Sequence, residues 1–192
     1  MKRFLASVTI LSALTLTACG SSSTSDSTAV STSSIAAADF NDADVMFAQM
    51  MIPHHEQAIE MADMALDPTV GASADIVALA TQIKDAQDPE IAQMTSLLQT
   101  WGKALTADDS DMDHSSMMSG MLSSEDMEKL AALTASAFDS AWAAGMIAHH
   151  EGAIGMAEDV LADGSNTEVR TLAQAIVSGQ TAEITTLRAL LK

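Results

Sequence analysis

Histidine and methionine form the most distinctive chemical pattern in this sequence of 192 residues. Residues 51–62 (MIPHHEQAIEMA) recur as residues 146–157 (MIAHHEGAIGMA), with nine of the twelve positions identical. Four of the five histidines lie in these two copies, and methionines flank each histidine pair. Imidazole and thioether groups together make a soft ligand set, which suits Cu(I) and does not suit oxygen-preferring ions such as Ca²⁺. The repeated motif therefore predicts a site for a soft metal ion.

The geometry of a helix lets one copy of the motif offer both ligand types. His54 and His55 point about 100° apart around the helix axis, and Met51 lies one turn before His55. The small Ala58 leaves room one turn after His54. If the two copies pack about a pseudo-twofold axis, their ligand groups face each other. The predicted ligands are Met51, His54, His55, Met61, Met146, His149, His150 and Met156.

Polar residues near the motif are candidates for supporting these ligands. Glu56 and Glu151 follow the histidine pairs, and they either orient an imidazole through a hydrogen bond or face the solvent. The Glu-x-x-His pattern of di-iron bundles is absent, which argues against a carboxylate-bridged di-iron centre. Four further residues on the partner helices are predicted to orient the ligands: Gln87, Glu90, Gln180 and Glu183.

A structural role explains the same residues without a metal. Methionine at helical spacing often fills an apolar core, and a histidine on an inner face is often a hydrogen-bonded core residue. Duplication copies structural residues as faithfully as it copies ligands. Three classes therefore stay open: a non-enzymatic metal-binding protein, which the pattern favours, a di-metal oxidoreductase-like enzyme, and a structural or interaction protein. No catalytic residue is predicted.

The segment between the two copies is a second candidate metal site. Residues 111–121 hold four methionines and one histidine among small and acidic residues. Methionine in a polar segment buries little apolar surface, so core filling explains it poorly. We predict capture of Cu(I) or Ag(I) here, and docking of these methionines over the helices is the alternative. The candidate ligands are Met112, His114, Met117, Met118 and Met121.

Helices must position these groups, because aromatic residues are only 3% of the chain and Ala, Leu and Met favour helices. Each copy is predicted to be a helical hairpin, and two hairpins stack into an all-α four-helix bundle. Two first helices are predicted to start at cap-like pairs, Asn41 with Asp44 and Ser136 with Asp139. The second helices are predicted to start near Ser73 and near Ser165 or Asn166, after Gly71 and Gly164. We also expect bends at Pro53 and Pro89 and a short helix from Ser124 to about Thr134.

The N-terminal residues are typical of a bacterial lipoprotein. Lys2 and Arg3 precede an apolar run that is too short to span a bilayer and ends at Leu-Thr-Ala-Cys-Gly. We predict a signal peptide over residues 1–18, lipidation of Cys19, and a Ser/Thr-rich linker over residues 19–38. An ordinary signal peptide is the alternative. The expected location is lipid-anchored on the outer face of the cell membrane or in the periplasm.

Charge and cysteine content exclude several functional classes. The formal net charge is −18, so the chain would be repelled by nucleic acid but could attract cations. Cys19 is the only cysteine, so an intrachain disulfide or a site of several thiolates is impossible. No glycine-rich phosphate loop or nucleophile elbow is present.

At these motifs the chain resembles the domain of unknown function (DUF) family 305. The resemblance rests on Met-Ile-x-His-His-x-x-Ala-x-x-Met-Ala, found twice, and on Gln-x-x-Glu-Ile at residues 87–91 and 180–184. It implies an exported, ferritin-like helical bundle, and some family members are linked to copper or silver binding and resistance. The domain would span residues 39–192, divided into repeat one (39–101), a Met/His-rich loop with a short helix (102–134) and repeat two (135–192). We therefore expect a cell-envelope lipoprotein that buffers Cu(I) or Ag(I) or passes it to a metal-accepting envelope protein.

Overall fold

Five helices make up the structure, a computed structural model that describes residues 39–107 and 119–191. The described residues contain no strand. The first two long helices form one hairpin, the last two form the other, and the first helices of the two hairpins pack against each other. The predicted all-α, ferritin-like bundle of two helical hairpins is confirmed. The helices are α1 (Asp42–Leu66), α2 (Ala74–Thr100), α3 (Ser124–Ala131), α4 (Ala135–Asp163) and α5 (Thr167–Leu190).

Several predicted features lie outside the described residues. They are the signal peptide (1–18), Cys19, the linker (19–38) and four of the loop ligands, Met112, His114, Met117 and Met118. The described residues form one compact unit. Within the described ranges, no helix combines the length and the apolarity that crossing a membrane requires.

Three of the four long helices start at a side-chain cap, as predicted. Asn41 and Asp44 form a reciprocal capping box at α1. Ser73 caps α2, and Asn166 rather than Ser165 caps α5. The predicted Ser136–Asp139 pair is wrong, because α4 starts after Thr134, which makes no side-chain cap.

Asp139 instead bonds to the other repeat, and this explains the error at α4. Its carboxylate accepts a hydrogen bond from the Ser73 backbone N–H at 3.1 Å, at the start of α2. The fully buried Asp44 carboxylate does the same at the start of α5, accepting from the backbone N–H groups of Ser165 and Asn166. Each repeat therefore supplies an anionic acceptor to the second helix of the other repeat, where the helix dipole favours negative charge.

The remaining local predictions hold in part. Both α1 and α2 continue through their prolines, Pro53 and Pro89. The short helix α3 starts at Ser124 as predicted and ends at Ala131, before Thr134. Gly71 has a φ of +68°, but it does not directly follow α1, because that helix ends at Leu66 and Asp67 is its C-cap. Gly164 follows α4 directly with a φ of −74°.

The core consists of two apolar clusters. The first takes the N-terminal halves of α1 and α5 and the C-terminal halves of α2 and α4. The second takes the opposite halves of these helices and is filled by Phe138 and Trp142, whose indole N–H donates to the Met61 carbonyl at 2.8 Å. In every long helix the residues between the two clusters include buried polar side chains. The candidate functional site therefore lies midway along the bundle.

Candidate metal centre

A polar layer separates the two apolar clusters. It consists of His54, His55, His149 and His150 with Gln87, Glu90, Gln180 and Glu183, and we call it the histidine layer. All four imidazoles have no solvent exposure. Polar groups buried this deeply are costly unless they are hydrogen-bonded. The contacts of each ring therefore define what the layer can do.

Two histidines are held by carboxylates from the second helix of their own repeat. His55 Nε2 lies 2.7 Å from Glu90 Oε2, and His150 Nε2 lies 2.8 Å from Glu183 Oε2. A carboxylate only accepts hydrogen bonds, so Nε2 carries a hydrogen, and in a neutral ring Nδ1 then presents its lone pair. A carboxylate that orients an imidazole in this way is a common support for metal-binding histidines.

The other two histidines meet at the interface of α1 and α4. The ring centroids of His54 and His149 are 3.8 Å apart, with the ring planes at 42°. His54 Nε2 donates to the Ser119 carbonyl at 3.3 Å. Neither ring nitrogen of His149 has a hydrogen-bond partner among the described residues. Equivalent residues of the two copies thus touch at the centre of the bundle and have different surroundings.

Burial keeps this central pair neutral. Desolvation, aided by the neighbouring His55, lowers the pKa of His54 from 6.5 to about 4, against the opposing effect of the Ser119 carbonyl. Burial, followed by the effect of His54, also holds the pKa of His149 well below its usual value. At neutral pH both rings therefore keep a nitrogen lone pair, as a metal ligand requires.

Several polar atoms of the histidine layer lack a partner in the part of the chain that the structure describes. They include Nδ1 of all four histidines and the side-chain amides of Gln87 and Gln180. Native proteins leave few buried polar atoms unpaired. Unpaired nitrogen lone pairs between two apolar clusters are the donors that a soft metal ion needs, so the residues present fit such an ion.

A short backbone segment covers the histidine layer on one side. We call residues 119–122 the strap. Gln57 clamps it, because the Gln57 amide donates to the Leu122 carbonyl at 2.9 Å and accepts from the Leu122 N–H at 2.8 Å. Gly120 has a φ of +86°, and a Cβ there would lie 2.2 Å from the Ala148 carbonyl oxygen. A Cβ at Gly152 would lie 1.8 Å from the Ser119 carbonyl oxygen.

The predicted methionine ligands lie on both sides of the histidine layer. Met51 belongs to the first apolar cluster, and Met156 is partly buried against it. Met61 and Met146 belong to the second cluster. Met121 lies partly buried in the strap. Thioethers from both repeats thus belong to the apolar clusters on either side of the layer, with Met51, Met61 and Met146 fully buried.

The acidic residues that follow the histidine pairs do not orient the imidazoles. Glu56 and Glu151 are exposed, and Glu151 pairs with Arg188 at 2.7 Å. Glu90 and Glu183 instead accept the hydrogen bonds of the imidazoles. Within residues 39–107 and 119–191, no three His, Cys, Asp or Glu side chains are grouped so that they alone hold a metal ion. The layer is therefore unlike a carboxylate-rich di-iron centre.

The family model described as domain of unknown function (DUF305) matches residues 44–191. This match spans most of the sequence, so the chain belongs to the DUF305 family. A comparison with curated proteins found no match.

Solved structures of similar chains share the fold. A DUF305 protein from Streptomyces coelicolor, described as secreted, is 28% identical with a TM-score of 0.70, over 78% of this chain and 91% of the other. A DUF305 fragment from Deinococcus radiodurans is 30% identical with a TM-score of 0.69, over 79% and 96%. CopM in its Cu(II)-bound form is 30% identical with a TM-score of 0.64, over 77% and 95%. CopM is also known in Cu(I)-bound and Ag-bound forms.

Proposed function

We propose, from the premise that this is a DUF305 protein, that the chain is a cell-envelope lipoprotein that binds Cu(I) or Ag(I) in its histidine layer. It would buffer the ion, confer resistance to it, or pass it to a metal-accepting envelope protein. Copper-bound and silver-bound CopM, at about 30% identity, supports this choice of metal.

One observation carries the proposal. In His54, His55 and His150 an oxygen acceptor holds Nε2, and Nδ1 is left without a partner. This arrangement fixes the tautomer that a metal ion needs and leaves the lone pair available inside an apolar surrounding. The proposed ligands are drawn from the four histidines together with the thioethers of Met51, Met61 and Met146, because the described histidines and carboxylates are not grouped to hold an ion alone. A soft ion of low coordination number fits a site with no carboxylate-rich cluster.

The contact between the two central rings imposes a condition on binding. Because the His54 and His149 centroids are 3.8 Å apart, an ion enters between these rings only if a side chain rotates. Binding should therefore change the environment of both imidazoles.

An anaerobic titration with Cu(I) against a competing chelator tests the proposal. We expect a Kd tighter than about 1 μM, weakened strongly in the double variant H54N/H149N. In the matched variant H114N, which changes the histidine outside the layer, the tight component should persist, because His114 belongs only to the weaker capture segment proposed below. If H54N/H149N keeps its helical circular dichroism and binds as tightly as the parent protein, the histidine layer is not the site. Imidazole ¹⁵N shifts of the unaltered protein on adding Ag(I) give the same answer without a mutation.

A purely structural role is the second candidate, and the two His–Glu pairs favour it. Buried polar pairs can fix the register of packed helices, and His55–Glu90 and His150–Glu183 join the helices of each hairpin. A ligand that binds only the folded state raises the melting temperature. A melting temperature that does not change with added Cu(I) or Ag(I) would therefore support the structural role.

The Met/His-rich segment is proposed as an additional capture site. Its candidate ligands are Met112, His114, Met117, Met118 and Met121. Replacing these methionines by leucine and His114 by asparagine should reduce weak Ag(I) binding and leave the tight site intact. Ag(I) binding measured by equilibrium dialysis separates the two contributions, and an unchanged weak component would reject the segment.

Export and anchoring are proposed from the N-terminal sequence, with a signal peptide over residues 1–18 and lipid on Cys19. The neighbour described as secreted supports export. Labelling of the protein with a radioactive fatty acid in bacteria should be lost in C19S. Equal labelling of C19S and the parent protein would rule out Cys19 as the anchor.

A further inference from the structure

A second group of thioethers lies away from the histidine layer, in a cleft between the N-terminal half of α1 and the C-terminal half of α4. The cleft has a volume of about 210 Å³ and is lined by Met46, Met50 and Met156. Two carboxylates, Asp159 and Asp163, lie on the same lining. We call this feature the methionine cleft. Met46 and Met50 are one helical turn apart, so both side chains lie on the same face of α1.

Core packing does not account for Met46, which belongs to neither apolar cluster and is partly exposed. Met50 is buried outside both clusters, and Met156 packs against the first cluster. Met46 and Met156 are partly exposed in the open cleft. A methionine placed there purely for the hydrophobic effect gains only part of its burial energy.

Duplication of the motif does not account for Met46 and Met50. The positions equivalent to Met46 and Met50 in the second copy are Ala141 and Gly145. There the side chains of Leu122 and Met61 occupy the space, within 3.6 Å of a Cβ placed at Gly145. Met156 belongs to the duplicated motif, but Met46 and Met50 occur in one half of the bundle only, so the three-methionine cleft has no equivalent in the other half.

The charge around the cleft favours cations. Asp159 and Asp163 are exposed, and neither forms a salt bridge with a basic side chain among the described residues. In a chain of net charge −18, these carboxylates add a local negative potential beside soft sulfur ligands. Sulfur selects a soft ion, and the carboxylates attract positive charge.

We propose that Met46, Met50 and Met156 form a second, surface-accessible site for a soft monovalent cation, Ag(I) or Cu(I), with Asp159 and Asp163 providing electrostatic attraction. The site is separate from the histidine layer and does not depend on it. Its openness to solvent allows exchange of the ion with the surroundings.

The test uses the full chain labelled with ¹³C in the methionine methyl groups, which gives one signal for each of the 14 methionines. Silver nitrate is added stepwise, and the signals are assigned with single Met→Leu variants. We expect the signals of Met46, Met50 and Met156 to shift together. In isothermal titration, M46L/M50L should lose one Ag(I) equivalent per chain, because leucine keeps the volume and removes the sulfur.

The matched control is M64L/M127L, which changes two methionines that line the cleft beside α3. It should keep the stoichiometry that M46L/M50L loses. Unshifted Met46, Met50 and Met156 signals, or full stoichiometry in M46L/M50L, would overturn the proposal. The layer variant H54N/H149N separates the two sites, because it should leave the cleft signals responsive to Ag(I) even if the histidine layer binds nothing.

Discussion

The two copies of the motif differ most clearly in how they meet the strap. Their identical positions build the same pair twice, His55 with Glu90 and His150 with Glu183. Only three of the twelve positions differ between the copies. These differences are Pro53 against Ala148, Gln57 against Gly152, and Glu60 against Gly155.

One of the three differences, Gln57 against Gly152, has a direct structural reason in both copies. Gln57 holds the strap by both backbone groups of Leu122. At the equivalent position only glycine fits, because the Ser119 carbonyl lies where the Cβ of Gly152 would be. One strap covers a nearly symmetric layer, so the two copies have adapted to opposite sides of it. Motif positions that are identical serve the same contacts in both halves. The position that differs, Gln57 against Gly152, contacts the strap, which is present only once.

The largest effect should come from placing a methyl group beneath the strap. We expect G152A to lower the free energy of unfolding by about 3 kcal/mol, because the strap must move and the Gln57 and His54 hydrogen bonds are lost. The matched control is G155A on the same helix, where a Cβ meets nothing within 4 Å. That variant should be stabilised by about 1 kcal/mol. Urea unfolding measures the free energy of both variants. Equal changes in G152A and G155A would show that the strap does not cause the loss of stability.

Acid should destabilise the metal-free protein through the central histidines. Between the unfolded pKa of 6.5 and the folded pKa of about 4, the unfolded chain binds more protons at His54, so stability falls as the pH decreases. From pH 7 to pH 5, His54 alone contributes a loss of about 2 kcal/mol. His149 acts in the same direction. Urea unfolding at both pH values should show a smaller loss in H54N/H149N, and an equal loss would contradict this origin.

The two His–Glu pairs should differ in strength because their exposure differs. The Glu183 side chain is 7% exposed and the Glu90 side chain is 20% exposed. Replacing Glu183 by leucine leaves a buried imidazole N–H unpaired, at a cost of about 2 kcal/mol. For E90L we expect about 1 kcal/mol, because water can reach the vacated position. Thermal unfolding compares the stability of E183L and E90L. A larger loss in E90L would contradict the expected order of the two pairs.

The smallest expected effect is that of removing the clamp alone. Q57A should cost about 1 kcal/mol, since water can replace part of its two hydrogen bonds to the strap. Its effect should also shrink in the G152A background, because the strap is already displaced there. A double-mutant cycle measures this coupling. Additive effects would mean that Gln57 and Gly152 act on different features.

Local sequence signals predicted the helical framework well. The caps Asn41, Ser73 and Asn166 were recognisable because a cap acts on backbone groups two or three residues away. Asp139 was misread because a carboxylate in the first turn of a helix can serve its own helix or a neighbouring one. Only the packing of the other hairpin decides between them.

The contacts of the candidate site were harder to predict, because they join distant segments. Helical spacing predicted that Met51 lies one turn from His55 on the same side of the helix. It did not reveal that the Met51 side chain belongs to an apolar cluster. The strap has no periodicity, so no pattern predicted its contact with His54. The mismatch of Gln57 and Gly152 between the copies was visible in the sequence and is the one signal that could have located the strap.

The crossed capping of the hairpins has a consequence for the ancestry of this domain. Asp44 and Asp139 each complete the start of a helix in the opposite repeat. A half-length ancestor with a single hairpin would have lacked that acceptor on its own chain and could have obtained it only from a second molecule. A single hairpin of this kind would complete its second helix only by pairing with another copy, whereas the duplicated chain carries both carboxylates itself.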